Sequence, residues 1–286
     1  PDTEEDTPGP WDRRVASASA YVMSPCAWAM CGVMPIGCRL PSLDELGVAA
    51  GYPVDLVVGP GMDVGMIFVF ALSSIAVYGV ILGGWASNNK YSFLGGLRSS
   101  AQLIAYELPM GLGILGVVLA AGSLDLEKIM RAQVNGPWFA IAQPLGFIVF
   151  VIAAFAEAAR LPFDLPEAEQ ELIGGYHTEY SGMKLLLFLV AEFLHMITAS
   201  FLIVILFLGG WHFPLITGDP TAESIGWVTA ILRIRVLQSK IFVVIVFFMW
   251  VLGTWPRFRY DKLTNLSGKC IRPRALMTRP GLTARN

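Results

Sequence analysis

Residues 157–181 read EAARLPFDLPEAEQELIGGYHTEYS and separate two apolar runs, at about 138–156 and 184–208. Each run is close to the roughly 20 residues that cross a bilayer. The stretch and its flanks hold Glu157, Asp164, Glu167, Glu169, Glu171, Glu179 and Glu192. Carboxylates beside lipid are costly to desolvate, so their concentration points to the handling of ions, protons or a polar ligand. A solvated acidic loop is the plain alternative. Pro162 and Pro166 stop the preceding helix and restrict the backbone on either side of Asp164. Beyond them, EAEQELIGG predicts a short helix with Glu167 and Glu171 one turn apart and Glu169 on another face. Like charges at that spacing repel, which favours a proton on one of them. Gly174 and Gly175 suit the end of that helix.

Further apolar runs lie at about 15–37, 62–86, 101–121 and 241–255. The chain is 55% hydrophobic and 15% charged, outside the range of soluble globular domains. The fold class predicted is all-α: a polytopic transmembrane bundle of about six spans, forming one domain over 1–286. It carries the acidic loop at 157–183 and a basic polar tail at 257–286. A net charge of −2 suggests no nucleic-acid partner. The four cysteines, at 26, 31, 38 and 270, lack the spacing of zinc or iron–sulfur ligands. No metal is therefore expected on this chain, and electrons for any redox chemistry must come from a partner. Phosphate loops, HExxH and nucleophile elbows are missing from the sequence.

Basic residues orient the spans. With the amino end on the cytoplasmic or matrix side, that side receives Arg13, Arg14, Lys90, Arg98, Arg160, Lys184 and eight basic residues from Arg257 to Arg285. The opposite side receives Arg39, Lys128, Arg131, Arg233, Arg235 and Lys240. The acidic loop then faces the cytoplasm or matrix. The inward loops 87–100 and 157–183 carry the polar signals, whereas 38–61 and 122–137 look like connectors. Paired broken helices in two halves, the mark of an inverted-repeat transporter, do not occur.

Two acids lie within apolar segments. Glu107, in QLIAYELPMGLGIL, is nine residues beyond Arg98, or about 13 Å along a helix. Lost water there favours its proton-carrying form. Glu192 shares a helical face with His195, three residues later, and the pair has the makings of a proton relay. A structurally satisfied buried histidine is the alternative. Glu157 and Arg160, also three apart, are expected to form an ion pair near lipid.

Three strings carry a family resemblance: EAARLPFDLPEAEQELIGGYHTEYSGMK from Glu157, GWASNNKYSFLGGLRSSAQLIAYELPMGLGIL from Gly84 to Leu115, and PRFRYDKL from Pro256 to Leu263. They resemble the signatures of the H-type membrane subunit, called ND-one in mitochondria, of respiratory complex I. That complex is the proton-pumping NADH–quinone oxidoreductase. Weaker agreement runs from Glu4–Asp6 to LFLGGW at 206–211.

The resemblance implies a heel subunit in a bacterial inner or mitochondrial inner membrane. Its inward loops would form part of the chamber that ubiquinone or menaquinone enters from the bilayer. Its partners would be the hydrophilic quinone-site subunits, which carry the terminal iron–sulfur cluster, and neighbouring membrane subunits. Carried over, Glu107, Glu157, Glu167, Glu169, Glu171 and Glu192 match the acidic path from chamber to pump. Arg160 and Asp164, with Glu167 and Glu171, match the loop lining the chamber. The sequence departs from the pattern in three places. The first helix and GPNRVGP-type motif expected before Pro1 are missing, the tail after Lys262 is basic where a last apolar helix is expected, and Leu252 stands where WxRAT carries arginine. These departures suggest a fragment or a divergent copy. The rival readings are the membrane subunit of an energy-converting hydrogenase and a stand-alone ion transporter.

Overall fold

The computed structural model describes residues 64–134, 136–158, 163, 175–213, 227–256 and 265. Seven α-helices are found among them: α1 Gly65–Ala86, α2 Lys90–Ala121, α3 Leu126–Val134, α4 Phe139–Ala142, α5 Pro144–Glu157, α6 Met183–Phe207 and α7 Trp227–Thr254. The described residues contain no strand. By length and composition, α1, α2, α6 and most of α7 (Ile231–Thr254) can cross a membrane. The architecture is a polytopic membrane helix bundle.

The predicted runs mark the helices but misplace several ends. Residues 90–100, read as inward loop, are the first turns of α2. Asn89 starts them by accepting a hydrogen bond from the Tyr91 N–H at 3.0 Å. The supposed connector 122–137 contains α3, whose Asp125 carboxylate accepts from the Glu127 N–H at 2.9 Å. The last run is the second half of α7, which begins at Trp227. The first run, at 15–37, lies outside the described residues.

The run at 138–156 departs most from a plain span. It breaks at Gln143, and Pro144 then opens α5 from the first helical position, where its missing N–H costs nothing. The 14 residues of α5 extend only about 21 Å. Its last residue, Glu157, therefore lies inside the bundle. The main core joins Tyr106, Met110 and Val117 of α2 to Val149, Phe150 and Ala153 of α5, with Ile203–Phe207 of α6 against them.

Backbone closeness on the loop side depends on glycine. A Cβ on Gly84 would stand 3.0 Å from the Ser92 carbonyl oxygen, and one on Gly96 3.2 Å from the Gly84 Cα. Helices α1 and α2 cross at this point. A Cβ on Gly95 would fall 2.9 Å from the Tyr176 nitrogen, so Gly95 makes room for the 3-10 turn Gly175–His177.

Candidate functional site

Glu157, at the end of α5, is 7% exposed and sits among three other elements. The Ser73 hydroxyl of α1 donates to its Oε1. The same oxygen lies 3.4 Å from Nε2 of His195 on α6. Gln102 of α2, itself buried, secures the helix end by donating from Nε2 to the carbonyls of Ala156 and Phe163, both at 2.7 Å. A small cavity opens beside the pair, bounded by Ser73, Glu157, His195 and Thr198 and by Val69, Met110 and Leu202. It is about the size of one water molecule, and its walls are almost wholly apolar.

Glu192 is 9% exposed and lies one turn before His195. Its Oε1 accepts from the Tyr176 hydroxyl at 2.7 Å. The 3-10 turn that carries Tyr176 is clamped to α1 and α2. Ser92 donates to the Tyr176 carbonyl at 2.6 Å, Tyr180 to the Gly83 carbonyl at 2.6 Å, and Asn89 Nδ2 to Glu179 at 2.7 Å. Glu107, partly buried near the middle of α2, accepts from the Ser74 hydroxyl.

These positions add a pairing that spacing does not show. His195 shares a face with Glu192, but the carboxylate within ion-pair distance of its Nε2 is Glu157, 38 residues earlier in the chain. Helix α5 is short enough to bring its terminal carboxylate to that ring. The expected Glu157–Arg160 pair involves Arg160, which lies outside the described residues. Asp164, Glu167, Glu169 and Glu171 lie outside them too. Ser73, Ser74, Gln102 and Tyr176 are functional candidates that spacing and charge did not single out. The adjacent hydroxyls in FALSSIAVYG were the available signal, since a polar pair in an apolar span needs partners inside the membrane.

The opposite end of the bundle is built from cations and aromatic rings. Gly209 and Gly210, both at positive φ, turn the chain after α6. Lys240 Nζ of α7 caps that turn, donating to the carbonyls of Leu208, Gly210 and His212 at 2.7, 3.0 and 2.7 Å. The same ammonium lies 4.9 Å from the Trp138 ring centre. Arg233, 2% exposed, stacks 4.4 Å from the Trp211 ring centre. Gln133 of α3 donates to the Ile205 carbonyl at 2.8 Å and accepts from the Gly209 N–H at 3.0 Å. Burial, and then the positive charges of Lys240 and Arg233, hold the His212 pKa below the usual histidine value.

Comparison with known proteins gives a single family. A family model described as NADH dehydrogenase matches residues 3–279. The eighth-numbered subunit of the NADH-quinone oxidoreductase of Rhodothermus marinus is 48% identical over 225 residues, which cover 76% of this chain and 66% of that one. An H-type subunit of the same enzyme from Geobacter sulfurreducens is 47% identical over 230 residues, or 80% and 62% of the two chains. An H-type subunit from Syntrophobacter fumaroxidans is 43% identical over 274 residues, or 96% and 76%. The matched part spans about three fifths to two thirds of the first two relatives. Matched almost throughout and nearly half identical to these relatives, the chain belongs to the NADH dehydrogenase family.

Proposed function

We propose that this chain is a membrane subunit of a proton-translocating NADH–quinone oxidoreductase, and that it couples quinone reduction to proton movement through its buried acids. The reading rests on one observation above all. Glu157 meets Ser73 and His195 inside the bundle, away from bulk water. A carboxylate and an imidazole in contact can exchange a proton near neutral pH, and exclusion of water strengthens their mutual effect.

The proposed path enters from the acidic loop. Glu167, Glu169 and Glu171 would sense charge change, while Arg160 and Asp164, with Glu167 and Glu171, would line the quinone chamber. Reduction of quinone consumes two protons and leaves a transient negative charge nearby. Glu192, bonded to Tyr176 at the root of that loop, would pass the change to His195 one turn away. From His195 it reaches Glu157, held by Ser73 of α1, and the next residue, Ser74, holds Glu107 of α2 nearby. The partners in this reading are soluble quinone-site subunits and adjacent membrane subunits, in a bacterial or mitochondrial inner membrane. Relatives that are all NADH-quinone oxidoreductase subunits favour it over a hydrogenase subunit or a free-standing transporter.

The test is NADH–quinone turnover and proton uptake in membranes containing the assembled complex. Glu157→Gln keeps size and hydrogen bonding but cannot exchange a proton, so pumping should fall while the complex still assembles. Normal turnover and pumping would leave Glu157 a structural group.

A further inference from the structure

Ser74 presents an accounting problem that its neighbour Ser73 does not. Its Oγ lies 3.0 Å from the Phe70 carbonyl oxygen, one turn back on α1, and also bonds Glu107 Oε1. A hydroxyl has one hydrogen and two lone pairs. When Glu107 is ionised, both neighbours are acceptors and the hydroxyl can serve only one. Bonding back to the i−4 carbonyl is ordinary for a serine in a helix. A second, acidic partner from another helix is not.

We propose that the Ser74 hydroxyl is a swivelling hydrogen-bond partner, a positioning residue that keeps Glu107 satisfied in both of its protonation states. With Glu107 ionised, Ser74 turns its hydrogen to the carboxylate. The Phe70 carbonyl keeps the backbone bond that the helix provides. With Glu107 protonated, the carboxyl O–H donates to Ser74 Oγ, and the serine hydrogen turns to Phe70. The hydroxyl neither gains nor loses a proton; only its direction changes. Each state then leaves every polar hydrogen with an acceptor, which avoids the penalty of an unpaired group in apolar surroundings. Ser73 contrasts with this, because no second acceptor is found for it among the described residues. Ser73 bonds its acid alone, whereas Ser74 has a second acceptor to turn to.

The inference rests on Glu107 carrying a proton, and the test separates the two ideas. Infrared difference spectra of the assembled complex, recorded on quinone reduction, identify the Glu107 carboxyl band as the one lost in Glu107→Gln. In Ser74→Ala that band should move to higher frequency, because its O–H has lost an acceptor. Coupled turnover should fall roughly tenfold, the weight of one hydrogen bond to a charged group. Ser74→Thr keeps the hydroxyl and should restore both band and rate. If Ser74→Ala fails to assemble, Ser74→Cys, a weak hydrogen-bonding group of similar size, should shift the band in the same direction. A Glu107 band that stays in place in these variants overturns the swivel and leaves the proton carrier standing. A spectrum unchanged by Glu107→Gln overturns both.

Discussion

The two ends of this bundle solve the problem of buried charge in opposite ways. On the acidic-loop side, Glu107, Glu157 and Glu192 are held by hydroxyls and one imidazole, groups that can both donate and accept hydrogen bonds. On the far side, Lys240 faces three backbone carbonyls, which can only accept. The first arrangement tolerates a change of proton number; the second works in one charge state. In the proposed function, the first region responds and the second holds.

Substitutions should expose that contrast as different failures. The largest effect is expected from Glu157→Gln. Loss of a positioned acid–base group lowers coupled turnover by about 100-fold or more, while thermal stability of the assembled complex changes little. Lys240→Met should do the reverse. Without the ammonium, the carbonyls of Leu208, Gly210 and His212 lose their shared donor, at a cost of roughly 1–3 kcal/mol. Thermal unfolding should shift down, and turnover per assembled complex should stay near normal. A large loss of coupling in Lys240→Met would erase the distinction between the two ends.

Gly95→Ala and Tyr176→Phe sharpen the acidic side. The new Cβ at residue 95 would meet the backbone of Gly175 and Tyr176 at 2.9 Å, so the 3-10 turn must move. Overpacking of this kind costs about 1–3 kcal/mol. It should also carry the Tyr176 hydroxyl away from Glu192, lowering both stability and coupling. Tyr176→Phe removes only the hydroxyl and should lower coupling with about 1 kcal/mol lost from stability. Thermal scans alongside turnover assays separate the two.

The smallest effect concerns His212. Its folded pKa is depressed, so the unfolded chain binds the extra proton first as pH falls. The contribution of neutral His212 is therefore complete above about pH 6.5 and is lost as pH drops from there toward the lower folded value. Hydrogen exchange at the 208–212 turn should accelerate over that window, and His212→Gln should flatten the dependence. Exchange that slows on acidification would reverse the assigned sign.

Much of the fold is legible in the apolar runs, because membrane length is a strong constraint on sequence. Boundaries are harder to place. Residues 90–100 contain Lys90, Arg98 and two glycines, and so look like a loop, yet Asn89 caps them into α2 and the glycines allow close packing on α1 and the 3-10 turn. The short reach of α5 is equally hidden, since Gln143–Pro144 sits within an otherwise apolar run. For the site, Glu107, Glu157, Glu192 and His195 stand out as ionisable groups in apolar context. Their partners do not. Ser73 to Glu157 spans 84 residues, and helical spacing reports only neighbours on the same helix. That is why spacing matches His195 with Glu192, its near neighbour, rather than with Glu157.

The central claim is that Glu157 and His195 act together as a proton-carrying pair. The ratio of protons pumped to NADH oxidised tests it most directly, measured in sealed vesicles containing the assembled complex with His195→Gln. Glutamine can still hydrogen-bond Glu157 but cannot take up a proton at neutral pH. The pairing predicts that electrons still reach quinone while fewer protons are moved for each NADH. A ratio equal to that of the unaltered complex, at undiminished turnover, would contradict it.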